Sequence, residues 1–510
     1  MAKADARLRI IDEVLSGKAS MAGFIRCAAG TCYTPVEQGV RFVEARSDPP
    51  SIASEAAAAL PISSRPVTRL PTRTLAAYAG PGLPVAALGL PLVIYLPPYY
   101  AGTLGLDLAA VGFVFFLVRM LDMPLDPLLG HFMDGTRSRW GRFRPWLVAG
   151  GLTLLVATVA VFFAVPGITV WYLFGWLMLL FTGHSMLNVS HIAWGATLSG
   201  DYHERSRVYG WWIGGHLVGL ITVLVLPAVL GQMMGADAPK PVHLMGAFIL
   251  AIIPLTVIGA IVGAREGAAQ AEHPRITWAD IRRLFSNRAL AMLLLADVLV
   301  NLAPGVTGAL FEFVFVRLLG FTQAGAAVML LIYFGSGLLA LPLWLRLAVR
   351  FGKQRAAAAA CVSGAALHVA AFLVFDPAQA WLSYLAIGLA GTPYAAPGFL
   401  LRAMLADVGD EERLASGADR IGLLNAVLTT AMKLGYALPV GILFPILALV
   451  GFSAEAAAAS APGSLLWVEG FWIVLPPVIL LPAAFVLVRL PLSAARHAEV
   501  QAALARAGKN

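Results

Sequence analysis

The sequence predicts an all-α membrane protein, with twelve transmembrane helices in two six-helix, pseudo-symmetric halves. Three observations predict it. Of 510 residues, 59% are apolar and only 13% charged, about half the charged share of an ordinary soluble domain. Apolar stretches recur at the roughly 20 residues that a bilayer demands. The loops between them alternate between basic and nearly charge-free, as the positive-inside rule requires.

The stretches lie near 80–102, 108–133, 147–165, 170–198, 207–231, 243–264, 288–317, 323–347, 356–375, 380–405, 421–452 and 464–488. The loops after the even-numbered stretches carry the charge: Arg137 to Arg144, Asp201 to Arg207, Arg265 to Arg288, Arg346 to Arg355 and Asp407 to Arg420. The odd-numbered connections, such as Thr103 to Asp107 and Pro166 to Thr169, are short and poor in Lys and Arg. Both termini are therefore expected on the cytoplasmic side of a bacterial-type inner membrane. The net charge of +8 resides in these loops, so it indicates topology and gives no reason to expect nucleic acid.

The first stretch is rich in proline, with Pro84, Pro91, Pro97 and Pro98. Inside lipid, the carbonyls this frees are tolerated where the backbone packs on protein or lines a cavity. Residues 1–73 mix charges and end in a Ser, Pro and Arg-rich run without a sustained apolar period. They are expected to be a disordered cytoplasmic extension, or the product of a start assigned too far upstream. They lack the apolar core of a cleavable signal peptide. Residues 76–264 and 288–490 form the two halves, 265–287 the cytoplasmic linker and 491–510 a tail, in which Ser493 to Ala507 reads as an amphipathic surface helix. The basic turn after the second stretch has an echo after the eighth, Arg350-Phe-Gly-Lys353-Gln-Arg355. Cys27, Cys32 and Cys361 match no zinc or redox spacing.

Chemistry concentrates in residues 119–146. Asp122 and Asp126 lie in an apolar stretch. On a helix they point within about 40° of each other, about 6 Å apart along the axis. Like charges so placed are poorly solvated and should capture a proton or a metal cation such as sodium. The competing reading is a buried ion-pair network with Arg119.

The run R-x-x-D-x-x-x-D-P-x-x-G-x-x-x-D-x-T-R-S-R-W-G-R-F-R-P-W at 119–146 resembles the glycoside-pentoside-hexuronide:cation symporters, the melibiose-permease-like branch of the major facilitator superfamily. Ala193-Trp-Gly-Ala through Asp201, Glu204 and Arg207, and Met404-Leu-Ala-Asp407-Val-Gly-Asp410 with Gly417 and Arg420, are similar to two further family segments. Lys433 stands where the family places a lysine of helix 11. The resemblance covers about 76–490. It implies that Asp122 and Asp126 help bind a coupling cation while Lys433 approaches from the other half, so that occupancy biases which way the halves close.

Three family positions are altered. The acid of helix 4 falls on Asn188, the sugar-binding aspartate of helix 1 on Ala86, and the arginine of helix 5 among Trp211, Trp212 and Ile213. An acid-arginine clamp on sugar hydroxyls is therefore lost. Asn188 can still ligate sodium through its carbonyl, so Asp122, Asp126, Asn188 and Lys433 form the expected cation-coupling set, and sodium and proton both stay open.

Replacements for the lost sugar contacts are sought on the fourth and fifth stretches. His184, Asn188 and His191 follow i, i+4, i+7 with Trp194 next on that face, and Trp212 and His216 follow i, i+4. Tyr99, Arg119, Asp297 and Asn301 complete the candidate substrate contacts, and Pro304-Gly305 is expected to break the seventh helix. His184, His191 and His216 without an acid partner make no metal site. Asp134, Arg137, Arg142, Asp407, Asp410 and Arg420 are read as a cytoplasmic gate.

A cation-coupled symporter for a glycoside or related small polar solute follows. The alternatives are a carrier of a non-sugar or amphipathic solute, and a transporter-like sensor using the extension to dock a partner. No nucleophile-base pair, His-Glu metal cluster or phosphate loop suggests an enzyme, and no cofactor is expected beyond the coupling ion. The partners are then the solute, the cation and the bilayer, with a monomer expected.

Overall fold

A computed structural model of the chain describes residues 69–198, 202–234, 240–266, 287–416, 421–454, 460–461, 463–491, 499–500, 503 and 506. The expected extension up to residue 68, nearly all of the linker and most of the surface helix at 493–507 lie outside the described residues.

Twelve helices among the described residues are long and apolar enough to span a bilayer. They are α1 (Thr72–Thr103), α2 (Leu108–Met133), α3 (Arg144–Phe162), α4 (Val170–Gly195), α5 (Arg207–Leu230), α6 (Pro241–Gly263), α7 (Arg288–Leu318), α8 (Gln323–Phe351), α9 (Lys353–Phe372), α10 (Pro377–Leu414), α11 (Leu423–Leu449) and α12 (Ser464–Val488). Side chains in the connecting loops start several of them. Asp107 accepts from the Ala110 N–H at 2.8 Å, Asn287 from Ala289 and Leu290 at 2.9 and 3.2 Å, and Thr322 from Gly325 at 3.0 Å. Each satisfies N–H groups that the first turn leaves open.

Two ends differ from the sequence reading. Helix α1 begins at Thr72, because Leu75, Tyr78 and Ala79 bury an apolar face against α5 and α6. Helix α10 runs on to Leu414, with Met404, Leu405 and Val408 buried while Arg402 and Ala406 face outward. The prolines of α1 leave their mark as two wider turns, Pro91–Tyr95 and Tyr99–Thr103. Proline lacks the N–H that a regular turn needs.

The two halves repeat each other's packing. Pairings α1–α5, α1–α6, α2–α4, α3–α4 and α3–α6 recur as α7–α11, α7–α12, α8–α10, α9–α10 and α9–α12. The halves meet through α2–α11 and α5–α8, which exchange under the same operation, and through α1–α7. Glycine lets two of these helix pairs approach closely. A Cβ at Gly112 of α2 would lie 2.6 Å from Phe444 Cβ and 2.7 Å from Val440 O of α11. One at Gly305 would lie 2.9 Å from Pro439 Cγ and 3.0 Å from Gly435 O. The break expected at Pro304-Gly305 is therefore absent: Arg288–Glu312 is one continuous helix. The Thr307 hydroxyl donates to the Pro304 carbonyl at 3.2 Å, and the glycine serves close packing on α11.

The α2–α11 contact extends toward the end away from the basic loops, where a Cβ at Gly441 of α11 would lie 2.6 Å from Phe116 Cβ of α2. Toward the basic end, the last segment of α2 packs on α4, and its Leu128 and Phe132 are exposed.

Candidate cation and solute site

Helix α2 is interrupted at Pro124, splitting into Leu108–Asp122 and Leu125–Gly135. The two acids therefore lie on either side of a proline break instead of on one regular helix. They still converge. Lys433 Nζ of α11 donates to Asp122 Oδ2 at 2.8 Å and to Asp126 Oδ2 at 2.7 Å. Asp122 is fully buried and Lys433 9% exposed. The Asp126 side chain, at 28%, is the more open of the two acids.

Arg119 Nη1 stands 3.5 Å from Asp122 Oδ2, and its guanidinium lies over the Phe181 ring. The Ser185 hydroxyl of α4 donates to Asp122 Oδ1 at 2.9 Å. Sequence reasoning passes over Ser185, although it adjoins His184 and lies three residues before Asn188, a neighbouring place on one helix face. Asp126 Oδ1 and Asn188 Oδ1 are buried acceptors without a donor among the described residues. Lys433 thus joins the halves through both acids, and the formal charges of Asp122, Asp126, Arg119 and Lys433 sum to zero. Among the described residues no group of three or more His, Cys, Asp or Glu is gathered as for a bound metal.

Beside this cluster is a cavity of about 260 Å³ between the halves, close to the lower end of small-molecule sites at about 300–1,000 Å³. The first half supplies Gly89, Val93 and Ile94 of α1, Arg119 of α2 and Leu220 of α5. The second half supplies most of the wall, much of it aromatic: Phe311, Tyr333, Phe334, Tyr394, Tyr436 and Trp472. A smaller pocket of about 80 Å³, also reached by Arg119 and Tyr436, carries His184.

Several expected substrate contacts lie elsewhere. Tyr99 donates to Ala164 O at 3.1 Å and meets His243 Nε2 at 3.1 Å, tying α1 to the end of α3 and to α6. His191 is wholly buried against α1, its Nε2 2.6 Å from Tyr78 O, while the Tyr78 hydroxyl donates back to His191 O. Trp194 packs edge-on to Tyr78 and under the Arg144 guanidinium. Trp212 and His216 pack on each other with ring centroids 4.1 Å apart, and His216 lies against Gly82 of α1. None of these five lines the cavity; each seals a helix contact. A helical spacing identifies a face but not the neighbour that covers it.

Asp297 and Asn301 are buried where α7 meets α11. The Asn301 amide donates to Asp297 O at 2.7 Å, and Asn301 Cβ lies opposite Gly435. Asp297 Oδ2 has no partner among the described residues.

The expected gate residues form ties within each half. Glu266 accepts from the Arg142 N–H at 2.7 Å and the Phe143 N–H at 3.2 Å, and Arg142 Nε donates to Met133 O at 3.2 Å. Lys353 pairs with Asp407 at 2.7 Å in the second half. Glu266 and Lys353 were not expected at the gate, yet they hold these loops. Arg137 is exposed, and Asp410 is partly buried. Arg420 and the Asp134 side chain lie outside the described residues.

The MFS/sugar transport protein family model matches residues 77–494. An uncharacterized symporter of Bacillus subtilis (strain 168), YjmB, is 24% identical, the match covering 80% of this chain and 89% of that one. The lactose permease of Lactobacillus delbrueckii subsp. bulgaricus is 27% identical over 75% of this chain and 64% of its own length. The crystal structure of a nucleoside transporter, NupG, shares the fold with a TM-score of 0.59 at 15% identity, covering 82% of this chain and all of the other. With a continuous family match over twelve helices in two repeated halves, the chain belongs to the MFS/sugar transport protein family and is an integral membrane transporter, not an enzyme.

Proposed function

We propose that this protein is a cation-coupled symporter that moves a small organic solute by alternating access. One observation carries the reading: a buried lysine from one half sits within 2.8 Å of two carboxylates from the other. An ammonium there does the work of a bound cation while tying the halves together. A sodium ion or a proton arriving at the acids competes with it and weakens the tie. Occupancy then has a different free energy in the two closures, as coupling requires. The open acceptors Asp126 Oδ1 and Asn188 Oδ1, on packed helices, suit this role.

In this reading the basic loops and both termini face the cytoplasm of a bacterial inner membrane. In the closure seen here, Leu128 and Phe132 of the cytoplasmic end of α2 are exposed. Glycosides are the solutes suggested by relatives such as the lactose permease. The aromatic wall of the cavity favours a second reading, an amphipathic solute.

The test is a thermal-shift titration of purified protein with sodium chloride against choline chloride at several pH values, paired with uptake of lactose and 4-nitrophenyl-β-D-glucoside into proteoliposomes. Stabilisation by sodium or by protons, with uptake driven by the same ion, is expected. Indifference to both ions contradicts the proposal.

A further inference from the structure

We infer that the central cavity takes an organic monoanion with a flat apolar ring body, an aromatic or alicyclic carboxylate, for which a sugar moiety is dispensable. The inference rests on the symport reading and names its solute.

The wall comes first. A sugar ring presents hydroxyls around its edge, and each hydroxyl buried without a partner costs free energy. A glycoside site therefore needs several uncommitted polar side chains. Here only a few polar groups of the second half reach the cavity, and four of the side chains that do are committed within the protein. His368 Nε2 is 2.7 Å from Trp472 O, the Tyr394 and Tyr436 hydroxyls face each other at 3.3 Å, and Thr307 donates to its own helix. Apart from the Tyr333 hydroxyl and the Trp472 indole N–H, which has no partner among the described residues, the remainder of that wall is apolar face and edge, from Phe311, Phe334 and Phe375 among others. Such faces stack on a flat ring and gain from its removal from water.

The charge comes second. Among the described residues, Arg119 is the one Arg, Lys, Asp or Glu lining the cavity, and its ionic contact there is the long 3.5 Å approach to Asp122. A guanidinium has five donors in a planar fork suited to a carboxylate. With it counted, the formal charges cancel, Asp122 and Asp126 against Arg119 and Lys433. Adding a coupling cation leaves one positive charge in a low-dielectric slab, and a solute anion on Arg119 restores neutrality. The loaded carrier then crosses between closures with the same net charge as the unloaded one, avoiding the cost of an unpaired buried charge.

Four probes separate the two elements. 2-Naphthoate has ring and charge, 4-nitrophenyl-β-D-glucoside a ring without charge, glucuronate a charge without an apolar ring, and methyl-β-D-glucoside neither. Binding to protein in nanodiscs is measured by calorimetry with protein-free nanodiscs subtracted, in sodium and in choline and at two pH values. 2-Naphthoate should bind at least about 10-fold more tightly than glucuronate or methyl-β-D-glucoside. Arg119→Gln should weaken 2-naphthoate by about 10- to 100-fold while leaving 4-nitrophenyl-β-D-glucoside within about twofold. Phe334→Ala should weaken both ring-bearing probes and make the heat-capacity change of binding less negative. A preference for glucuronate or methyl-β-D-glucoside, no binding of 2-naphthoate in either ion, or an Arg119→Gln protein that binds it as before would overturn the solute class. Cation-independent binding with the expected probe order supports that class and counts against the coupling reading alone.

Discussion

Replacing Lys433 with Gln removes the ammonium shared by two acids and keeps most of the side-chain volume. Two short charge-assisted hydrogen bonds, at 2.8 and 2.7 Å, are lost. Each is worth about 1.5–3 kcal/mol when buried. The sum must be discounted, because the Asp126 side chain is 28% exposed and Arg119 stays near Asp122. A loss of about 3 kcal/mol remains, roughly a hundredfold in an equilibrium constant. Part of that loss falls on the contact between halves, since the lysine is on α11 and the acids on α2. The expected outcome in a thermal-shift assay is a marked drop in melting temperature in choline at neutral pH, restored by the coupling ion, which no longer competes with a lysine. A Lys433→Gln protein as stable as the parent and equally indifferent to sodium and pH would refute the reasoning.

Further outcomes follow from single contacts. Ser185→Ala deletes the hydroxyl that donates to the fully buried Asp122, so the carboxylate loses about 1 kcal/mol of stabilisation and, with normal expression, its affinity for a proton should rise several-fold. Gly112→Val would push a side chain into Phe444 and Val440 O. It should disfavour the closure seen here, read as a drop in disulfide cross-linking between cysteines placed on the outer ends of α2 and α11. At the membrane edge, the Arg207 guanidinium holds the Glu204 carboxyl below the usual carboxylate range. A depressed folded value means the tie from the Leu70 N–H to Glu204 holds at neutral pH and is lost only as pH falls through that lowered value. Hydrogen exchange at Leu70 should therefore be slow in the parent at pH 7 and fast in Glu204→Gln. Deleting residues 1–68, which spares the Leu70 tie, should leave uptake intact; loss of uptake would favour a partner-docking role for the extension.

The sequence made the scaffold legible because each membrane helix needs only local information, an apolar run of bilayer length between loops of alternating charge. Asp122 and Asp126 were readable for a related reason, since charged groups in apolar stretches are costly enough to stand out, whereas Lys433 was reached through the family resemblance. Ser185 did not stand out, since a serine on a membrane helix carries no such cost and its partner lies 63 residues away. The aromatic wall was equally silent. Phe311, Tyr333, Tyr394 and Trp472 come from four helices, and only the packing of one half brings them together. His191, Trp194, Trp212 and His216 misled in the opposite sense, their regular spacing marking a face that α1 covers. Proline was ambiguous. Pro124 splits α2 between the two acids, whereas Pro304 leaves Arg288–Glu312 unbroken because close packing on α11 supports it.

Coupling turns on whether Asp126 links ion occupancy to solute movement. Asp126→Asn keeps the size of the side chain and removes its charge. In proteoliposomes, with whichever probe the parent concentrates, the account predicts that this variant loses sodium- or proton-driven accumulation while still exchanging labelled for unlabelled solute across the membrane. Accumulation to the parent's level under the same ion gradient would contradict it.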